Sequence, residues 1–366
     1  MRIVRAAAYR QFQPFRDGPY TCRGQSEDGA DSTIVRLETD RGLTGWGEMA
    51  PLGSFYAEGF AAGARAGVAE LLPRLLGADP RQLLRVNHIM DDAMMGQLYV
   101  KAPIDMACWA LLGKAAGLPV AELSGGRFGE SVLLYRSISQ AAPEAMAAVA
   151  KKYLAEGYRR IQVKVGDDPL EDVERMKAVR AVVPAQVLLL ADANGAWQVD
   201  AALRFVRAMG DADYYLEQPC MTLDENARVR AAARQPMILD ESIASLGDLL
   251  AAHRIGILNG VTIKLARVGG MTKARLIRDV AVALGLRVTI EDTGGSDIDT
   301  AATTHLMLST PPAQRFHTVD FMNWVTVSNA SGMPPTENGQ ISAPSKPGLG
   351  LEVREESLGA PFFEVG

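Results

Sequence analysis

Five charged side chains recur at nearly even spacing through the middle of the chain: Lys164, Asp192, Glu217, Asp240 and Lys264, each 23 to 28 positions from the next. Each closes a run of mostly apolar residues, RRIQVK, VLLLAD, YYLE, MILD and VTIK in that order. Three carboxylates converging on one point suit a hard divalent cation, Mg2+ or in its place Mn2+, and leave coordination positions open for water and a substrate carboxylate. Histidine is poorly placed to compete as a ligand: His88, His253 and His305 fall in helical segments, and only His317 lies near a strand end. A strand-end acid can also merely cap the following helix, as Asp240 could in Asp240-Glu241-Ser242, but three in succession favour metal binding. The two lysines suit proton transfer, one on each face of a carboxylate's α-carbon. A lysine base must first lose the proton it holds at an ordinary pKa of about 10.4, and burial and a nearby cation both work in that direction. Taken singly, either lysine could be a side chain reaching from a strand end to solvent.

A spacing of about 25 residues is one strand plus one helix, and its repetition predicts a parallel barrel, with chemistry at the carboxyl ends of the strands. Apolar runs place strands at 132–137, 160–165, 187–192, 214–217, 237–240, 261–265, 287–291 and 316–320. Helical segments such as 142–156 and 170–182 fill the gaps. Together they predict an α/β fold, a (β/α)8-type barrel over 129–322 whose last unit is modified. In such a barrel Lys164 ends strand two and Lys264 strand six, diametrically opposed, with the strands of the acids between them on one side.

Before the barrel, residues 1–128 read as an α+β capping domain. Short strands, including 34–37 and 43–46 about a turn at Asp40-Arg41-Gly42, precede helices at 60–76, 81–94 and 102–116. Two of its loops should close over the barrel mouth. One, 18–24, carries Tyr20 between glycines that read as hinges; the other, 51–56, carries Phe55 and Tyr56. Residues 323–366, rich in Gly, Pro and Ser, read as an extended segment returning to the capping domain. Tyr56, Tyr20 and Trp324 are aromatic candidates for a cationic substrate nitrogen, each with interface packing as the alternative. Asp292, beside Glu291, is placed to position Lys264, to contact substrate, or to cap a helix.

A net charge of -5 without a basic block argues against nucleic acid. No apolar run approaches the ~20 residues that span a bilayer. Three irregularly spaced cysteines, Cys22, Cys108 and Cys220, fit a reducing, cytoplasmic setting. With 48% hydrophobic and 22% charged residues, the chain has the composition of a folded globular protein. Its glycine-rich strings, such as Gly294-Gly295-Ser296, match neither a phosphate loop nor a dinucleotide fingerprint.

Lys164, the acids of Asp192-Ala193-Asn194, Glu217-Gln218-Pro219 and Leu239-Asp240-Glu241-Ser242, and Lys264 together resemble the enolase superfamily. The nearest subgroup is the mandelate racemase/muconate lactonizing enzyme family. The resemblance extends to the capping domain and its turn Gly42-Leu43-Thr44-Gly45-Trp46-Gly47-Glu48. It implies Mg2+-assisted removal of a proton α to a carboxylate, with Asp192, Glu217 and Asp240 as metal ligands, Lys164 and Lys264 as the acid/base pair, and a homo-oligomer. Tyr135-Arg136-Ser137-Ile138-Ser139-Gln140, Gln162-Val163-Lys164-Val165-Gly166, Glu291-Asp292-Thr293 and Asp320-Phe321-Met322-Asn323-Trp324 look like the enzymes acting on proline derivatives: hydroxyproline betaine epimerases and cis-3-hydroxyproline dehydratases. Two departures stand out. Gln162 occupies a position where many members have a lysine, and Gly294 one where the proline-derivative enzymes have a tryptophan on the pocket rim.

The leading expectation is therefore racemisation or epimerisation of a small amino-acid-like carboxylate such as proline betaine or hydroxyproline betaine, since two opposed lysines are what inversion needs. Dehydration of cis-3-hydroxyproline or a related hydroxy acid is the nearest alternative. A Schiff-base aldolase barrel and a non-catalytic metal- or ligand-binding barrel are the readings of other classes.

Overall fold

The computed structural model describes residues 1–56 and 58–366. Eight parallel strands form the central sheet, in chain order Arg136–Ile138, Arg160–Lys164, Leu188–Asp192, Tyr215–Glu217, Met237–Leu239, Gly260–Lys264, Arg287–Glu291 and Arg315–Thr318. A parallel bridge between Leu134 and Thr318 brings the last strand back beside the first, and the sheet curls into the expected barrel. The first strand begins later than the sequence suggests. Val132–Leu133 leaves the barrel to pair antiparallel with Gln340–Ile341 of the tail, and only Arg136–Ile138 joins the second barrel strand. The same apolar signal serves two sheets, which hydrophobicity alone does not separate. After the eighth strand a short turn of 3-10 helix, Phe321–Asn323, stands where a barrel helix would be.

The N-terminal unit is an antiparallel sheet of Ile3–Pro14, Gly29–Thr39 and Thr44–Met49, with Phe363–Val365 from the end of the chain as its edge strand. Helices Ala61–Leu71, Leu83–Ala93 and Leu98–Ala116 complete it. The last starts four residues before its sequence-based estimate, because Pro103 reads as a first-turn proline yet lies in the second turn. The helix tolerates the missing N–H because it is buried on nearly every side, between strand Thr44–Met49 and the turn Leu265–Val268 at the barrel mouth. That closeness explains Gly47: a Cβ there would collide with the Pro103 carbonyl. Among the described residues no helix is long and apolar enough to cross a membrane.

Two buried polar residues tie the units together. Glu48 accepts from Gln13, Ser32 and Ser296 and from the backbone N–H of Ser296 and Asp299, at the start of helix Asp297–Leu308, where the helix dipole favours an anion. His305, on the same helix, accepts from the Ala121 N–H and faces the Leu349 carbonyl at 3.2 Å. Burial pushes His305 down to about 4 from its ordinary 6.5. The folded protein thus refuses a proton that the unfolded chain accepts, so stability is full above pH ~6.5 and falls as the pH drops toward 4. The full shift corresponds to roughly 3 kcal/mol. In His305→Gln, urea unfolding should lose less stability between about pH 7 and pH 5 than in the unsubstituted protein. Equal losses in the two proteins would refute the assignment.

Candidate active site

Register puts the charged strand ends in line. Lys164 is paired across the ladder with Asp192, Asp192 with Glu217, and Lys264 with Glu291. Asp240 lies one residue past strand five and two beyond Ile238, the ladder partner of Glu217, as barrel stagger requires. Side chains two apart share a face, so Gln162 lies below Lys164 and Thr262 below Lys264, lining the barrel interior. Beneath them Leu190, Ile238 and Phe316 form an apolar floor.

The five predicted side chains are all buried at this mouth. Lys164 bonds Asp192, and Lys264 bonds Glu291 and reaches Asp240 at 3.3 Å. Glu217 accepts from neutral donors, Gln162 Nε2 and Thr262 Oγ1, each at 2.8 Å. Burial, then Asp192, Asp240 and Glu291, push Glu217 well above its ordinary value. Burial opposes the Asp240 carboxylate, but Arg267 and Lys264 outweigh it and pull its pKa down. Burial likewise works to lower Lys164, yet Asp192, Tyr20, Cys22 and Glu217 outweigh it and hold the ammonium well above its usual range. The fall in lysine pKa expected from the sequence combines burial with a nearby cation; burial alone acts on Lys164 here, and the carboxylates outweigh it.

Six carboxylates, Asp192, Glu217, Asp240, Glu241, Glu291 and Asp292, crowd against three cations, Lys164, Lys264 and Arg267: three negative charges in excess when all are ionised. In type Asp192, Glu217 and Asp240 suit a hard divalent ion, whose charge would relieve the repulsion centred on Glu217. Among the described residues no three His, Cys, Asp or Glu side chains are already arranged to hold a metal ion. The reason is visible in their partners: Asp192 is turned onto Lys164, and Asp240 onto Arg267 and Lys264. A divalent ion would compete with the protein's own ammonium and guanidinium groups for the same oxygens.

Lys164 and Lys264 both open onto one pocket, lined also by Tyr20, Tyr56, Asp292 and Trp324, with about 30 Å3 of free space. The four candidate substrate contacts therefore lie on one wall system, but they are differently engaged. Tyr56 donates to Asp240 at 3.2 Å and accepts from Arg267, and both Lys264 and Arg267 sit near its ring. One face of Trp324 is taken by Arg136, 4.8 Å from the ring centroid. Tyr20, bonded to Ser137, is the one of the three rings with no protein cation on it among the described residues. Asp292 accepts from the N–H groups of Ala266 and Thr293, so it braces the turn just after Lys264. Burial pushes it up to about 7. His317 is buried against Tyr135 and Phe316, below the mouth.

Both departures from the resemblance have local explanations. Gln162 supplies Glu217 with an N–H that a lysine would have supplied as a charge. A Cβ at Gly294 would point at Ala50 and Ala30 of the capping unit, so the missing aromatic does not open the pocket rim in the way its absence suggests.

Sequence reasoning overlooked Arg267, Glu241 and Gln218. Arg267 lies one helical turn past Lys264, a spacing that returns a side chain to the same side. Gln218 Oε1 accepts from the Asp240 N–H and from Ser242, fixing the end of strand five. Glu241 is joined through Asn194 to Asp192. Removing Arg267 would strand the Asp240 carboxylate. Arg267→Met is expected to lose about 3 kcal/mol of unfolding free energy, and Arg267→Lys less, since it keeps charge without the planar fork. A denaturant titration in which Met costs no more than Lys would show that the pairing contributes nothing.

Comparison with known proteins agrees with this architecture. The model for the mandelate racemase/muconate lactonizing enzyme N-terminal domain matches residues 7–125, and that for the enolase C-terminal domain-like unit matches residues 145–357. A cis-3-hydroxy-L-proline dehydratase of Roseibium aggregatum is 43% identical over 362 residues, 99% of each chain. An N-succinyl-L-Arg/Lys racemase of Bacillus cereus is 28% identical over 98% of this chain and 97% of its own. The structure of an enolase superfamily member from Roseovarius nubinhibens complexed with magnesium superposes with a TM-score of 0.94 at 40% identity, covering 100% of this chain and 99% of that one.

Proposed function

The chain belongs to the mandelate racemase/muconate lactonizing enzyme family of the enolase superfamily, and from that premise we propose that it removes the α-proton of a small, proline-type amino-acid carboxylate and then expels a β-hydroxyl, as a hydro-lyase. The observation that carries the reading is the pair of buried lysines on opposite strands opening onto one small pocket beside an excess of carboxylates. The 43% identical dehydratase favours loss of hydroxyl as the outcome. Epimerisation of a betaine of the same class is the second reading, favoured by the opposed lysines, which can take a proton from one face and return it on the other.

In this reading Asp192, Glu217 and Asp240 hold Mg2+, with Mn2+ as a substitute; a relative of this fold has been crystallised with magnesium. Bound there, the ion would supply positive charge against the substrate carboxylate and the charge that develops on it. One lysine, neutral at the moment of reaction, takes the proton from the α-carbon. The other gives its proton to the departing β-hydroxyl, which leaves as water while the α,β double bond forms. In epimerisation that same proton goes to the opposite face of the α-carbon instead. Tyr20, whose ring packs against Phe15 and Trp324 but carries no protein cation among the described residues, is the aromatic contact for the substrate nitrogen, and Asp292 holds the turn behind Lys264.

Proton NMR in D2O with Mg2+ tests the reaction. With cis-3-hydroxy-L-proline the α-proton signal should vanish and a dehydrated product appear; with proline betaine and hydroxyproline betaine, exchange with inversion would instead establish the second reading. Lys164→Ala and Lys264→Ala together should abolish both. No exchange on any of these compounds would sink the proline-type assignment, and retained turnover in the double variant would sink the lysine roles. Metal binding has its own readout: Mg2+ at about 100 times its Kd should raise unfolding free energy by about 2.7 kcal/mol, and Glu217→Gln should remove that gain.

A further inference from the structure

Adjacent residues of the first barrel strand hold the capping unit from opposite faces. Ser137, paired with Gln162 and so turned into the barrel, bonds the Tyr20 hydroxyl at 2.9 Å. Arg136, one residue earlier, faces the other way and is 6% exposed. Its guanidinium lies 4.8 Å from the ring centroid of Trp324, 4.9 Å from that of Tyr153 and 5.7 Å from that of Tyr158. Among the described residues its one hydrogen-bond acceptor is Asp17, at 3.2 Å, and its Nε and Nη1 have none. Aromatic faces thus surround a buried cation that one carboxylate holds by its edge. Asp17 and its neighbour Arg16 stand at the base of the hairpin Tyr20–Cys22 and Gln25–Glu27, whose Tyr20 and Cys22 line the catalytic pocket. The Arg16 N–H donates to the Trp324 carbonyl at 2.7 Å, and its guanidinium to the Val325 carbonyl at 2.9 Å. One corner of the capping unit therefore holds Trp324 twice, at the backbone through Arg16 and at the ring through the arginine that Asp17 aims.

We propose that Arg136 is a positioning residue: it couples the seating of this hairpin, through Asp17, to the orientation of Trp324 on the pocket wall. The Trp324 ring lines the pocket and meets Tyr20 at a centroid distance of 5.7 Å. Arg136 does not line the pocket, so it backs that ring from behind and acts on a substrate only through it. Asp17 has a second cationic partner, Lys152 on helix Pro143–Ala155, at 2.8 Å. Both side chains of that pair are well exposed, and such pairs contribute little, which leaves Arg136 as the partner that matters. Lysine in its place could still pair with Asp17 but has no plane to lay against an indole. The kinetic consequence rests on the proline-type reading given above; the coupling of Asp17 to Trp324 stands apart from it.

The test pairs two substrate-free readouts with kinetics. In Asp17→Asn, hydrogen exchange of the backbone amides of residues 20–27 should quicken at least fivefold, with that of Leu188–Asp192 unchanged. The emission of Trp324, obtained by difference against the matching Trp324→Phe protein, should move to longer wavelength, although the bonds of Asp17 run to Arg136, Lys152 and Tyr153 and none to Trp324. With cis-3-hydroxy-L-proline and Mg2+, Asp17→Asn should raise KM at least fivefold. Arg136→Lys, which keeps a charge for Asp17 but uncovers the ring, should lower kcat at least tenfold. Quickened exchange with unmoved emission would make Asp17 a local anchor of the hairpin and overturn the coupling; unmoved exchange would overturn it as well. So would a loss of kcat in Arg136→Lys that merely follows its loss of unfolding free energy in urea. Should Arg136→Lys fail to fold, Asp17→Asn, altered at a half-exposed side chain, decides the matter. If the unsubstituted protein does not turn over this substrate, the reaction reading alone fails, and exchange and emission still decide the coupling.

Discussion

Glu217 sits between two other carboxylates inside a barrel, and much of the mouth is arranged around that repulsion. At an effective dielectric of about 20, two like charges ~5 Å apart oppose each other by roughly 3 kcal/mol. The chain meets this in two ways. Glu217 itself is given neutral donors, Gln162 and Thr262, that bind a carboxylate without bringing a charge of their own. Its neighbours Asp192 and Asp240 are set against Lys164, Lys264 and Arg267. The remaining excess of negative charge is a demand for a cation, placed where a substrate carboxylate would need one. The same imbalance that burdens the fold therefore prepares the chemistry.

Positioning follows from the alternation of a strand. Because side chains two apart share a face, a strand that ends in a charged residue also presents the residue two before it to the interior. Lys164 brings Gln162, and Lys264 brings Thr262, so the polar layer beneath the reacting groups comes from the same segments that carry them. Ladder register then sets the order around the mouth, and the stagger of the barrel displaces Asp240 toward Arg267. The capping unit closes the mouth from above. Glu48 fixes it to the seventh barrel unit through the start of helix Asp297–Leu308, and Tyr56 reaches down to Asp240.

Much of this was readable in the amino-acid order because charge at the end of an apolar strand is a local signal. The barrel, its eight strands and the five charged strand ends all follow from runs of a few residues repeated at one period. What escaped were the features decided between segments. The run 132–137 is divided between two sheets, a matter of partners and not of hydrophobicity. Helix Leu98–Ala116 begins ahead of its proline because burial offsets a lost hydrogen bond. Arg267 and Glu241 stand beside residues that were recognised, but their importance depends on which carboxylate each faces or lacks. The aromatic residues show the same limit. Tyr20, Tyr56 and Trp324 all reach the pocket wall, yet Arg136 claims a face of Trp324, and Lys264 and Arg267 attend Tyr56. Sequence could nominate the rings; only packing says which of them already carries a protein cation.

The two chemical outcomes open to this site differ less than their names suggest. In the proposed mechanism, loss of the α-proton beside a stabilised carboxylate is common to both, and it calls on the acids, one lysine and nothing else that distinguishes them. The paths part only afterwards, when the second lysine's proton goes either to a β-hydroxyl or to the opposite face of the α-carbon. Under that proposal the choice depends on what the substrate presents to the second lysine, hence on how tightly Tyr20, Trp324 and the loops would hold it, and not on the strands that end in Asp192, Glu217 and Asp240. A catalytic pocket with about 30 Å3 of free space is a severe selector of that orientation. It follows that the strand ends can stay fixed while the surrounding wall redirects the product, which accounts for a dehydratase at 43% identity and a racemase at 28% each matching this chain over nearly its full length.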